Sequence, residues 1–383
     1  MAVTVFRNIP YAAAPTGAAR FAAPTPVDGV RGSDGPGPTA PAPARRFPLD
    51  LSPVMGSGWV RGDDYLTLNV WAPEERAGQE RAGQRADAPV MVFVHGGGFL
   101  SGTGQAPLYD GTSFARDGVV LVTLNYRLGA PGWLDLPDAP RNRGLLDVVT
   151  ALRWVRDHIA EFGGDPDRVT VFGQSAGAMI VSALLVTPEA TGLFRRAISQ
   201  SGGLHTLTGE QAAETTRALA DRLGVPATVA GFADIPDEQL LSAVADLPVG
   251  ARLTPFGVVL DDVPEARPVD LMVGTNTQES RLYQQPRYSA AIDAMFRGGS
   301  QRLVSLHGKA FRYDFDWRDG PYGACHTAEL PFVFDNTELP ALRTPEGLLG
   351  PDIPPSLAAE MHGAWVRFAT TGDPGWSGTH RFG

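Results

Sequence analysis

Apolar residues in this chain fall into two rhythms. Short, nearly unbroken runs recur at Val90–Val94, Gly118–Asn125, Val169–Phe172, Ala197–Gln200, Val269–Val273 and Phe311–Phe315. Runs of this length with polar or glycine-rich ends predict strands buried on both faces. Between them lie segments of helical period. In Arg143–Phe162 the residues Leu145, Leu146, Val148, Val149, Leu152, Val155 and Ile159 form one apolar band. Helices are also predicted over Ala178–Val186, 210–224, 236–247, Tyr288–Phe296 and Pro355–Thr370, the last carrying Leu357, Met361, Trp365 and Phe368 toward a core. Tyr65–Trp71 alternates strictly and reads as a strand in an antiparallel part of the sheet, and Val3–Phe6 as an edge strand. The whole predicts an α/β fold: a mostly parallel central sheet flanked by helices on both faces.

The remaining segments break both rhythms. Pro36, Pro38, Pro41 and Pro43 cannot join a ladder, so the first 60 residues should lie over the domain as irregular chain. Arg76–Arg85, RAGQERAGQR, is a polar near-repeat expected to be a solvated loop. Residues 204–268 contain no core strand and are expected to cap a site within a single domain spanning 1–383.

Composition narrows the function classes. Of 383 residues 42 are acidic and 32 basic, a formal charge of -10 that argues against nucleic acid, and no basic stripe interleaved with aromatics is present. No window has the apolar length of a membrane span. The opening MAVTVFRNIPY lacks the basic and apolar regions of a signal peptide. One cysteine, Cys325, excludes a disulfide framework and fits a reducing compartment, so a cytoplasmic location is expected.

Two glycine-rich turns follow predicted strands. In VTVFGQSAG, Val169–Gly177, a strand meets a helix with Ser175 at the apex. Gly173 and Gly177 stand where a nucleophile elbow is too tight for side chains. In VMVFVHGGGF, Val90–Phe99, a buried strand opens into His95, Gly96, Gly97 and Gly98, bare backbone suited to an oxyanion hole. A serine needs a base, and the base needs a carboxylate to orient it. Of seven histidines, His326 is the strongest candidate, because it follows the strand FRYDF in the turn GACH; His205 remains open. His95 belongs to the glycine loop, and His158, His307, His362 and His380 sit in helices or at the chain end. For the acid, Glu279 follows VDLMV by a short loop, with Asp261, Asp262 and Asp316 as rivals. The order Ser175, Glu279, His326 is that of α/β-hydrolases, not of chymotrypsin or subtilisin. No histidine pair has metal-ligand spacing, and no metal or other cofactor is expected.

With these motifs stand FRNIPYAAAP, DDYLTLNVWAP, LNYRLG, NRGLLD, FRRAISQSG, GTNTQES, GACHTAELPFVF and WVRFATTGDP. Together they resemble the type-B carboxylesterases, the carboxylesterase and cholinesterase family of α/β-hydrolases, over nearly the whole chain. The nearest members are expected to be bacterial ones that cleave p-nitrobenzyl and other aryl esters. The resemblance implies Ser175 as nucleophile, Glu279 as acid and His326 as base. It implies the N–H groups of Gly97, Gly98 and Ala176 as oxyanion hole, and Ser201 beside the base and acid.

Three departures stand out. Gln174 occupies the position before the serine where Glu is common. Tyr65 replaces the cysteine of the family's EDCL-like motif. The chain is also shorter than usual, at its start, before the acid strand, and between Glu279 and His326. That implies shortened cap and gorge walls, leaving either an open pocket or walls made by segments outside this sequence. The expected activity is hydrolysis of a small-molecule or polymeric ester by a monomer, through an acyl-enzyme. Two alternatives are a hydrolase of amides, lactones or polyesters, and a catalytically silent interaction protein.

Overall fold

The computed structural model describes residues 2–43, 49–74, 87–247 and 253–383; the polar near-repeat Arg76–Arg85 lies outside them. Nine strands form one sheet: β1 (Val3–Pro10), β2 (Thr67–Pro73), β3 (Ala88–Val94), β4 (Val120–Leu124), β5 (Gly164–Gln174), β6 (Arg196–Gln200), β9 (Asp270–Asn276), β10 (Phe311–Phe315) and β11 (Thr379–Phe382). Their spatial order is β1-β2-β4-β3-β5-β6-β9-β10-β11. β1–β2 and β2–β4 pair antiparallel, and every pairing from β4 to β11 is parallel. A separate two-residue pair, β7 (Thr206–Leu207) with β8 (Val258–Val259), lies in the segment expected to cap the site.

The unbroken apolar runs become the centre of the sheet because each has two faces to bury. Along β3, Val90, Val92 and Val94 join the core beneath the helices Arg143–His158 and Ala176–Leu184. Met91 and Phe93 join the opposite core, with Trp365 and Phe368 of the helix Pro355–Thr371. Arg143–Phe162 is one α-helix to His158 and a tighter turn to Phe162, ended by Gly163 at φ 83°. β1 continues past the expected Phe6 to Pro10, through a register shift between Phe6 and Ile9. The helix predicted to end at Phe296 runs from Ser289 to His307. Within it, Gly299 is where the helix meets the Gly202–Gly203 turn: a Cβ on Gly299 would lie 2.5 Å from the Gly202 carbonyl oxygen. β11 carries THRF, too polar to signal a strand, and closes the sheet's rim against β10.

The parallel strands end in register. Val94 pairs with Gly173, Gln174 with Gln200, Gln200 with Gly274, and Phe315 with Asn276. The loops leaving these carboxyl ends therefore emerge at one edge, and they carry His95–Gly98, Ser175, Ser201, Glu279 and His326. Open α/β sheets place their ligand sites at this edge.

Candidate active site

β5 enters the turn and the helix Ala176–Leu184 leaves it, with Ser175 held at φ 57° and ψ -124°. A non-glycine residue adopts such a conformation only where its surroundings over-determine it. Here the Ser175 N–H donates to the Gln200 carbonyl at 2.9 Å. A Cβ on Gly177 would lie 2.0 Å from the Val94 carbonyl oxygen, and one on Gly173 2.6 Å from the Gly177 carbonyl carbon. The two glycines are thus obligatory for packing β5, β3 and the helix at the elbow.

His326 and Glu279 meet beside it. The imidazole Nδ1–H donates to Glu279 Oε2 at 2.6 Å, and both side chains are buried. The Asn276 N–H donates to the other carboxylate oxygen at 2.8 Å, and the His326 N–H to the Glu279 backbone carbonyl at 3.2 Å. On the far edge of the ring, the Gln174 amide Nε2 lies 3.2 Å from His326 Nε2. Phe296, from the helix Ser289–His307, stacks on the imidazole with ring centroids 4.3 Å apart and planes at 24°. Ser175 and His326 line the same cavity, with no hydrogen bond between their side chains.

The glycine loop faces the serine. Gly97 and Gly98 have φ of 115° and 63°, and a Cβ on Gly97 would strike the Ser101 carbonyl oxygen at 2.0 Å. Among the described residues the N–H groups of Gly97, Gly98 and Ala176 meet no protein acceptor, so all three remain available to an incoming oxygen. His95 shapes this loop: its Nδ1–H donates to the Gly96 carbonyl at 2.7 Å, and its ring stacks on Tyr126 at 4.5 Å. Burial pushes the His95 imidazole down to about 4, so it stays neutral.

The rival carboxylates lie elsewhere. Asp261 is exposed and pairs with Arg141 and the Gly209 N–H; Asp262 beside it is exposed too. Asp316 bonds Thr277 and pairs with Arg318 and Arg381. His362 donates from Nδ1 to the Val333 carbonyl, His380 contacts Glu360, and His158 contacts Glu161. Neither these nor His205 line the cavity. Ser201 is buried at the sheet edge with φ 51°, but its hydroxyl bonds neither Glu279 nor His326.

A second buried carboxyl, Glu329, had no place in the sequence reading. Asn276 joins it to the first: the N–H of Asn276 serves Glu279, while its side-chain amide donates to Glu329 Oε2 at 2.6 Å. Burial, reinforced by the Glu279 charge, pushes Glu329 up to about 7. The available signal was an acidic residue opening the apolar run ELPFVF.

The cavity has a volume of about 470 Å³. Met55, Met179, Met295, Tyr288 and Phe296 supply much of its wall, and among the described residues no Asp, Glu, Lys or Arg lines it. Among the described residues no group of three or more His, Cys, Asp or Glu side chains is placed to hold a metal ion.

The family model described as "Carboxylesterase family" matches residues 1–291. The chain belongs to the carboxylesterase family. It is 33% identical to the para-nitrobenzyl esterase of Bacillus subtilis (strain 168), covering 96% of this chain and 86% of that protein. It is 32% identical to the phenmedipham hydrolase of Pseudarthrobacter oxydans, covering 97% and 87%. A solved structure of PNB esterase superposes with a TM-score of 0.85 at 32% identity, covering 98% of this chain and 88% of that one. This carboxylesterase therefore has the α/β-hydrolase fold and is a serine hydrolase of carboxylic esters. No helix among its described residues is long and apolar enough to cross a membrane.

Proposed function

We propose that the carboxylesterase acts through Ser175, His326 and Glu279, and that its substrates are neutral esters with apolar or aryl groups. The carrying observation is the placement of a strained elbow serine and a Glu279-anchored imidazole in one cavity whose described lining is largely apolar. His326 Nε2 takes the proton of the Ser175 hydroxyl as its oxygen attacks the ester carbonyl carbon. The carbonyl oxygen becomes an oxyanion held by the N–H groups of Gly97, Gly98 and Ala176. Collapse expels the alcohol, which leaves with the proton from His326. Water then attacks the acyl-enzyme by the same route, releasing the acid and restoring Ser175. Glu279 stays ionised, fixes the Nδ1–H tautomer and stabilises the imidazolium.

The absence of Asp, Glu, Lys and Arg among the described lining residues supports the substrate class, since a charged ester would be desolvated against them without a partner. Residues 204–268 act as a cap in this reading, supported by Leu253 and Thr254 in the cavity wall. A cytoplasmic location fits the one cysteine, which is buried and unpaired. Turnover of p-nitrophenyl acetate by Ser175→Ala, His326→Ala and Glu279→Gln tests the roles. The first two should be inactive, and Glu279→Gln impaired but measurable. Wild-type turnover by a purified Ser175→Ala enzyme would overturn the assignment. A panel of anilides, lactones and soluble polyesters separates ester hydrolysis from cleavage of other acyl bonds.

A further inference from the structure

Three consecutive glycines make a poor scaffold for aimed hydrogen-bond donors, because glycine backbone is the least restrained of all. In Gly96–Gly98 the carbonyls are tied down one by one. Gly96 accepts from His95 Nδ1–H at 2.7 Å. Gly97 accepts from the N–H groups of Leu100 at 3.2 Å and Ser101 at 3.1 Å, and from the Ser101 hydroxyl at 3.1 Å. These ties are local. The Gly98 carbonyl is held differently: it accepts from the Thr254 hydroxyl at 2.7 Å, across 156 residues of chain.

The Thr254 contact is directional. Its Oγ1 also accepts from the Phe256 N–H at 3.2 Å, so the hydroxyl proton is committed to Gly98. The segment that carries it is anchored: Phe256 is buried, the Pro255 carbonyl accepts from the Thr215 hydroxyl at 3.1 Å, and β8 pairs with β7 immediately beyond.

We propose that Thr254 is a positioning residue for the oxyanion hole, fixing the Gly98–Phe99 peptide and, through the Gly98 torsions, the aim of the Gly98 N–H. This rests on the reading above, in which Gly97 and Gly98 receive the oxyanion. Thr254 then acts through the glycine loop on the transition state, where charge on the carbonyl oxygen is largest, more than on the ground state.

The test uses Thr254→Val, which keeps the shape and removes the donor, and Thr254→Ser, which keeps the donor. Thr254→Ala stands by should Val fail to fold. Each is measured for kcat and KM on p-nitrophenyl butyrate, for affinity toward an aryl trifluoromethyl ketone, and for inhibition by benzyl alcohol. The ketone is attacked by Ser175 Oγ, its proton passing to His326, to give a tetrahedral oxyanion adduct. A misaimed donor should cost less than a deleted one, about tenfold to thirtyfold in kcat. Adduct affinity should fall in parallel, KM and benzyl alcohol inhibition should stay within about twofold, and Ser should restore the wild-type values. Wild-type kcat and adduct affinity in Thr254→Val would overturn the proposal, as would a Ser variant as impaired as Val. Absence of a Ser175 adduct in the wild-type enzyme would instead overturn the underlying reading.

Discussion

The side-chain amide of Gln174 meets Nε2 of His326 at 3.2 Å, on the ring edge opposite the one Glu279 holds at 2.6 Å. With Nδ1–H given to Glu279, Nε2 carries the lone pair, and the Gln174 N–H donates to it. In the proposed mechanism the Ser175 hydroxyl addresses that same lone pair to be activated. Residue 174 is therefore part of the proposed base's immediate surroundings, and in this enzyme it is neutral.

Gln174→Glu places a carboxylate where the amide now sits. Opposite charge favours the protonated ring, so the acid-side limb of the kcat/KM profile should move to higher pH. The variant should also favour a cationic alcohol over a neutral one of equal shape, since no Asp, Glu, Lys or Arg among the described residues lines the cavity. A full charge pair at 4 Å is worth at most about 4 kcal/mol at an effective dielectric near 20, and solvent in the cavity leaves roughly a threefold to thirtyfold preference. The ratio of kcat/KM for butyrylcholine to that for 3,3-dimethylbutyl butyrate, at low and high salt, measures it. An unchanged ratio in an active variant contradicts the prediction.

Glu329→Gln should change how stability depends on pH. Burial and the Glu279 charge raise Glu329 from 4.5 to about 7, so the folded enzyme holds a proton that the unfolded chain has released between those values. Folded stability must then fall as pH rises through that window and level off above it. The variant removes this contribution, on the order of 1–3 kcal/mol for a fully buried group. Urea midpoints at pH 5 and pH 8 should differ less in the variant than in wild type. Ionised Glu329 also adds negative potential beside His326, so kcat above pH 7 should drop by a factor of about two to ten in the variant.

The elbow was legible in the sequence because its constraint is steric and local: Gly173 and Gly177 have no room for a Cβ, whatever the rest of the fold does. β3 and β5 were legible because burial on both faces forces apolar runs. From the residues alone the proposed acid, Glu279, kept Asp261, Asp262 and Asp316 as rivals, because a carboxylate in a loop looks the same whether it meets an arginine at the surface or an imidazole in the interior. Only the register of β9 against β10 brings Glu279 to His326 and leaves Asp316 with Arg318 and Arg381. Thr254, Asn276 and Glu329 act through partners distant in sequence, and no local pattern marks them. The aromatic wall over His326 was missed because Phe296, inside the predicted helix Tyr288–Phe296, reaches the imidazole only through tertiary packing.

Glycine substitutions should separate the elbow from ordinary helix. Gly177→Ala drives a methyl to 2.0 Å from the Val94 carbonyl oxygen and should lower thermal stability sharply, with activity lost in parallel. Gly363→Ala and Gly298→Ala put the same methyl on exposed helix with nothing within 4 Å. Each should stabilise by about 0.5–1 kcal/mol at unchanged kcat/KM. Thermal melts of the three variants check both halves.

As the proposed nucleophile, activated by its neighbours, Ser175 should differ in reactivity from every other serine in the chain. The most direct measurement is intact mass and peptide mapping after reaction with diethyl p-nitrophenyl phosphate, in the wild type and in Ser175→Ala and His326→Ala. One diethylphosphoryl group per chain is expected, located on Ser175, appearing in step with loss of esterase activity. Ser175→Ala should not be labelled, and labelling of His326→Ala should be strongly slowed. A phosphoryl group on another residue, or equal labelling of Ser175→Ala, would contradict that role.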